Sequence, residues 1–416
     1  MKNVEIITTG SEVISGITLD TNSHYISKKI SINCGYAVKY KTTVPDNFEL
    51  IEKSLMLALK RADIVFVLGG LGPTNDDITM EVVSKVLGKK LILSDIGMEC
   101  INKYFGNKNS NLKINKVALI PEGAVALKND VGTAVGAFIN ENEKIIIVLP
   151  GPPNELIPMF DNYVLPKLEN NLKKEIVFIK TIGIGEVLLQ EKLKDIILKY
   201  DVNIYLKDYH TMLIIKSDNV NEIFSILESI LNSIKEYIFV IISENEEYSK
   251  LKEVFYSKRD LSIEQVVKIY LERKNLTVSF CESLTGGLIS SRLVRVPGIS
   301  KYFLGSIVAY NTIIKKSIGI DENVIKNGVV SSECAKEMAK KANEVLKSDI
   351  TISITGVAGP DKQDGKDVGE CYIGFYNSVT KKSFEKYIKI NGDRNLIREK
   401  SSVIVLKILL DNLILN

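Results

Sequence analysis

The residues best equipped for chemistry lie in Glu282-Ser283-Leu284-Thr285-Gly286-Gly287, followed by Pro297-Gly298-Ile299-Ser300, then Tyr310 and Lys315. Leu276 to Phe280 has strand composition and Leu288 to Val294 continues in helical register, so the hydroxyls and paired glycines fall on a strand-to-helix turn. Free amides and the helix dipole favour an anion at such a turn, and glycine lets a ligand approach the backbone. Ser283, Thr285, Gly286 and Gly287 are therefore expected to bind a phosphate-like anion. Ser300, which follows Pro-Gly and precedes Tyr310 and Lys315, is the expected nucleophile, with Lys315 as base and Tyr310 as relay or orienter. A Ser283 nucleophile with the same lysine is the alternative. Lysine serves as a base only where desolvation or a nearby cation lowers its pKa. Both histidines, His24 and His210, lie before the C-terminal part that starts near residue 257, so a serine-histidine or cysteine-histidine mechanism built wholly from that part is excluded. Cys281 follows an apolar strand and reads as an inert buried thiol. Thr355-Gly356, at the exit of the strand-like run Ile350 to Ile354, supplies a second wall.

A second group lies in the first half. Ile64 to Leu68 runs as a buried strand into Gly69-Gly70-Leu71-Gly72-Pro73-Thr74-Asn75-Asp76-Asp77 and then a helix. The glycines permit the tight turn, Thr74 and the helix amides suit phosphate oxygens, and Asp76 and Asp77 offer hard oxygens to a divalent cation. The competing reading is an acidic first turn that merely caps the helix. Three further strand exits carry Thr9-Gly10-Ser11-Glu12, Val44-Pro45-Asp46 and Pro150-Gly151-Pro152-Pro153-Asn154-Glu155. Open α/β sheets bind ligands outside the carboxyl ends of their strands, so these exits predict one pocket, and its contents point to a phosphate ester.

The elements that must hold these groups alternate. Strand-like runs that are apolar on both faces interleave with helical patterns, which predicts an α/β fold with a parallel sheet covered on both sides. The chain divides into 1–170, a small α+β part over 171–250, a charged connector over Ser243 to Lys258, and an α/β part over 257–416. Lysine and arginine total 54 against 51 acidic residues among 416, a balance that argues against nucleic-acid binding. Five scattered cysteines form no C-x-x-C pair and read as reduced thiols, and no apolar run approaches a membrane span. A soluble, cytoplasmic protein is expected.

The motifs GGLGPTNDDIT, Asp20-Thr21-Asn22 and PGPPNEL resemble the molybdopterin-binding-type domain of the CinA competence/damage-inducible family, and the later motifs resemble that family's C-terminal amidohydrolase domain. The resemblance covers nearly the whole chain. It implies ADP-ribose pyrophosphatase activity in the first part, with Asn22, Asp46, Thr74, Asp76, Asp77, Gly151 and Glu155 lining the site and a divalent cation assisting. For the last part it implies hydrolysis of nicotinamide mononucleotide to nicotinate mononucleotide and ammonia, without a cofactor. A homodimer acting on these nucleotides, with no nucleic-acid or membrane partner, is the expectation. Molybdopterin handling, or a non-catalytic role in competence or DNA damage, is the alternative. Cys281 and Leu284 stand where the family usually has alanine and cysteine, and Asp367 stands where it usually has proline.

Overall fold

The structure, a computed structural model, describes residues 2–34, 36–105, 115–168, 175–207, 209–251 and 254–415. It divides into two compact units, Met1–Lys174 and Glu175–Asn416. The boundary expected near residue 170 falls within 169–174, outside the described residues.

The first unit contains β1 (Asn3–Thr9), β2 (Ala37–Val44), β3 (Ile64–Leu68), β4 (Leu91–Leu93), β5 (Leu119–Pro121), β6 (Val125–Leu127), β7 (Gly136–Glu141) and β8 (Lys144–Leu149). Its main sheet has the order β2-β1-β3-β8-β7-β6. The first four of these strands are parallel; β7 runs antiparallel to β8, and β6 antiparallel to β7. Side chains alternate across the pleat, so the all-apolar strands feed two cores. Ile64, Phe66 and Leu68 pack with Ile26, Leu156 and Phe160 on one face. Val65 and Val67 pack with Ile51, Leu55, Val82 and Val83 on the other. The helix Phe48–Arg61 turns Ile51, Leu55 and Ala58 inward at helical spacing, with Asn47 capping it through the Leu50 amide.

The second unit holds two five-stranded sheets. One has the order β10-β11-β9-β12-β13, from β9 (Glu175–Thr181), β10 (Val202–Lys207), β11 (His210–Ser217), β12 (Ile238–Ile242) and β13 (Tyr256–Ser257). The stretch expected to be a connector thus contributes a strand, because Tyr256 and Ser257 pair in parallel with Ile241 and Ile242; residues 252–253 within it lie outside the described residues. The other has the order β15-β14-β16-β17-β18, from β14 (Val278–Glu282), β15 (Phe303–Val308), β16 (Ile350–Gly356), β17 (Glu370–Asn377) and β18 (Ser383–Lys389). Strands β15, β14 and β16 are parallel. One apolar cluster joins Ile182, Phe239 and Val240 to Val267, Phe280, Ile352 and Leu409, so the two sheets of this unit share a core. In both units the first parallel strand lies between the next two, which opens a switch-point crevice at the carboxyl ends of β1/β3 and of β14/β16.

Candidate active sites

The crevice beyond β14 and β16 is a pocket of about 140 Å³ lined by Ser283, Tyr310, Lys315, Thr355, Gly356 and Arg394, among others. Ser283 leaves β14 with its amide bonded to the Ile354 carbonyl at 3.0 Å, which ties the turn to β16. Lys315 comes from the helix Thr312–Ser317, which Asn311 caps through the Ile313 amide. Its side chain is 1 % exposed. Lys315 Nζ lies 3.0 Å from Ser283 Oγ and donates to the Ala309 carbonyl at 2.7 Å. Burial pushes the lysine below its ordinary range. A buried amine with a lowered pKa against a serine hydroxyl is the arrangement that can activate the oxygen.

The expected pairing of Ser300 with Lys315 is corrected. Strands β14 and β15 are parallel, with Val278 opposite Phe303 and Glu282 opposite Val308. Ser283 follows the last residue of β14, whereas Ser300 sits exposed in the turn before β15. The two serines lie at opposite ends of the sheet, separated by a strand length of roughly 17 Å at about 3.3 Å per residue. Tyr310 lines the pocket but bonds Arg394: Arg394 Nη2 donates to its hydroxyl at 2.7 Å and Nη1 to the Gly359 carbonyl at 2.5 Å. Thr355 spends its hydroxyl on the Val329 carbonyl, so it and Gly356 form a wall.

Within the turn Thr285-Gly286-Gly287, the two glycine amides expected to cradle an anion are already engaged internally. The Gly286 amide bonds the Ser283 carbonyl, and the amides of Gly287, Ile289 and Ser290 all bond the Glu282 carboxylate. The pocket lining carries a positive group elsewhere, in Arg394, which is 84 residues beyond Tyr310 in sequence. No local pattern marks it. Asp361 and Gln363, which also line the mouth, were missed for the same reason.

In the first unit, the four strand exits meet on one rim. Gly69 lies against Thr9 closely enough that an added Cβ would sit 2.6 Å from the Thr9 carbonyl oxygen. Gly70 has φ +66°, and an added Cβ would lie 2.4 Å from Thr79 Oγ1, so only glycine serves there. Asn22 Nδ2 donates to the Gly151 carbonyl at 2.6 Å, and Asn22 Oδ1 and Thr79 Oγ1 are buried without partners. Asp46 accepts from the Ser11 amide at 2.9 Å, and Glu155 accepts from Asn129 Nδ2 at 2.7 Å. Ser11, from the first strand exit, and Thr79, the last residue of the glycine motif, also belong to this rim, and Asn129 joins it through Glu155 without any motif announcing it. Asp77 packs under Gly72 and accepts from both the amide and the hydroxyl of Thr74, at 2.9 and 2.6 Å. Asp76 is exposed beside it. Among the described residues no group of three or more His, Cys, Asp and Glu could hold a metal ion. The donors do not build a protein-only cage. Two adjacent carboxylates, one of them already accepting from Thr74, are a donor set of the kind a largely hydrated hard cation can use.

The chain matches two family models, "CinA C-terminal domain" over residues 260–413 and "Probable molybdopterin binding domain" over residues 5–170. It is 38% identical over 408 residues to a CinA-like protein of Dictyoglomus thermophilum, with 95% of each chain covered. It is 38% identical over 416 residues to a CinA-like protein of Thermosipho melanesiensis, with 97% of each covered. A crystal structure of the protein CinA from Thermoplasma acidophilum aligns at 32% identity and a TM-score of 0.38, covering 41% of this chain and 100% of that one. Among the described residues no helix is long and apolar enough to cross a membrane.

Proposed function

The chain belongs to the CinA family, and from that premise we propose that its C-terminal part hydrolyses the carboxamide of nicotinamide mononucleotide to nicotinate mononucleotide and ammonia. The observation that carries this reading is the buried Lys315 amine 3.0 Å from Ser283 Oγ in a pocket at the sheet's carboxyl rim. The neutral amine takes the Ser283 proton as Oγ attacks the amide carbon, and returns it to the departing ammonia. Water then cleaves the resulting ester by the reverse proton path, restoring serine and releasing the carboxylate. In this reading Arg394 receives the substrate phosphate and Tyr310, which accepts from it at 2.7 Å, orients the guanidinium. Ammonia release by purified protein tests the proposal. Ser283→Ala should abolish turnover while the folded variant still binds nicotinate mononucleotide, and Ser300→Ala should keep full turnover. Loss of turnover in Ser300→Ala alone would overturn it.

For the N-terminal part we propose hydrolysis of ADP-ribose to AMP and ribose 5-phosphate in the β1/β3 crevice. The buried, unpartnered Asn22 Oδ1 and Thr79 Oγ1 beside two backbone-exposing glycines support a ligand there. Asp76 and Asp77 would hold a divalent cation, which when bound neutralises diphosphate charge and activates water. Asn22, Ser11 and the Gly69-Gly70 backbone position the ligand. The description of the matched N-terminal family model favours a second reading, binding of a pterin phosphate. Product analysis with ADP-ribose separates the two, since only the first yields AMP.

A further inference from the structure

Glu282 is a fully buried carboxylate immediately before the proposed nucleophile. Its Oε2 accepts from the amides of Gly287 at 3.0 Å and Ile289 at 3.1 Å, and its Oε1 accepts from the Ser290 amide at 3.0 Å and the Ser290 hydroxyl at 2.6 Å. Ser306 Oγ, on the neighbouring strand β15, adds a contact at 3.5 Å. A carboxylate's two oxygens offer about four acceptor sites, and these donors fill them. Glu282 therefore has no acceptor position left for a ligand. It takes the place that an anionic ligand would occupy at the start of the helix Leu288–Leu293.

The consequence reaches Ser283. Of the consecutive amides from Ser283 to Ser290, that of Ser283 goes to Ile354, that of Gly286 to Ser283, that of Leu288 to Thr285, and those of Gly287, Ile289 and Ser290 to Glu282. The amides of Leu284 and Thr285 are the pair of this run outside that network. They directly follow the nucleophile, where donors for a developing oxyanion belong. Gly286 at φ +59° and Gly287 at φ +91° make the bend that brings the helix amides back onto Glu282.

We infer that Glu282 is the positioning residue of the Ser283–Lys315 dyad: by gathering the helix-start amides it locks the turn on which Ser283 is mounted and leaves the Leu284 and Thr285 N–H groups, directly after the nucleophile, without an internal acceptor among the described residues. The inference rests on the Ser283–Lys315 reading of the site. It also explains why phosphate recognition falls to the Arg394 side of the pocket, since the helix start is already filled by an internal anion.

Glu282→Gln is the informative variant, because the amide keeps the volume and one acceptor oxygen but turns an N–H donor toward donors. Glu282→Ala controls for loss of fold through its melting curve. Two readouts are measured on the full chain: kcat and KM for ammonia release from nicotinamide mononucleotide, and the rate at which a fluorophosphonate labels Ser283, followed by intact mass. The expected result for a folded Glu282→Gln is a kcat lowered about 100-fold or more, KM changed less than about threefold, and labelling slowed in parallel, with the pH at half-maximal kcat/KM unchanged because Lys315 is untouched. A folded Glu282→Gln within threefold of the parent in both kcat and labelling rate overturns the inference, as does a rise in KM with kcat intact, which would return the turn to substrate binding. If the parent releases no ammonia yet Ser283 is labelled in a Glu282-dependent way, the proposed reaction fails and the positioning role stands.

Discussion

Replacing Lys315 by methionine removes the amine while keeping an unbranched chain in a site that is 1 % exposed. Two effects follow and they can be measured apart. In catalysis the proposed base is gone, and a positioned general base is worth about 10²- to 10⁴-fold. At about 1.36 kcal/mol per decade this raises the barrier by roughly 3–5 kcal/mol. In stability, the Ala309 carbonyl loses its 2.7 Å donor, which costs about 1–3 kcal/mol for a buried acceptor. Relief from burying an amine opposes that cost. The sign of the pH dependence is fixed by the lowered pKa of the folded lysine. Between that value and the ordinary lysine value near 10.4, the unfolded chain binds more protons than the folded one, so parent stability gains from this group as pH rises. The methionine variant should lose that gain. The kcat/KM of the parent should rise with pH as Lys315 deprotonates, with a midpoint below that of free lysine. Ammonia release across pH, together with denaturant melts at two pH values, tests both effects. Lys315→Arg, which keeps the charge and cannot deprotonate, should be equally inactive. A Lys315→Met protein within tenfold of the parent and showing the same acid limb would refute the dyad.

Arg394→Ala should raise KM for nicotinamide mononucleotide by about 10- to 100-fold, the worth of a charge-assisted contact, with little change in kcat; with nicotinamide riboside, which lacks the phosphate, parent and variant should be equal, and an equal loss on both would remove the phosphate role. Asp76→Ala or Asp77→Ala should impair ADP-ribose hydrolysis and leave ammonia release intact. Full turnover of both variants under saturating chelator would dismiss the cation. All five cysteines are buried, and burial pushes the Cys281 and Cys371 thiols up to about 12 and Cys334 up to about 11, so a thiol-disulfide reagent at pH 8 should label none before unfolding. Rapid labelling of Cys281 in the native protein would reopen it as a nucleophile.

What the sequence determined by itself is local and periodic. Runs such as Ile64 to Leu68, short, apolar at every position and closed by a glycine turn, read as strands covered on both faces, and the structure divides their alternate residues between two cores. The glycine loop at Gly69–Gly72 and the turn at Ser283–Gly287 were legible because tight strand-to-helix turns restrict residue type. The identities of Ser283, Tyr310 and Lys315 as pocket residues were legible too. Three matters needed the tertiary structure. Chain spacing cannot say which end of a strand a flanking residue occupies; only the parallel pairing of β14 with β15 puts Ser283 beside Lys315 and Ser300 on the far rim. Glu282 opens the motif without an assigned role, and only the bend of the following turn brings three amides onto it. Arg394 enters the pocket from the start of the last helix, 84 residues from its partner Tyr310. Hydrophobic periodicity is written residue by residue because neighbouring side chains share one backbone geometry, whereas a site depends on which strand ends the sheet order makes neighbours, and that order is fixed by packing across the whole unit.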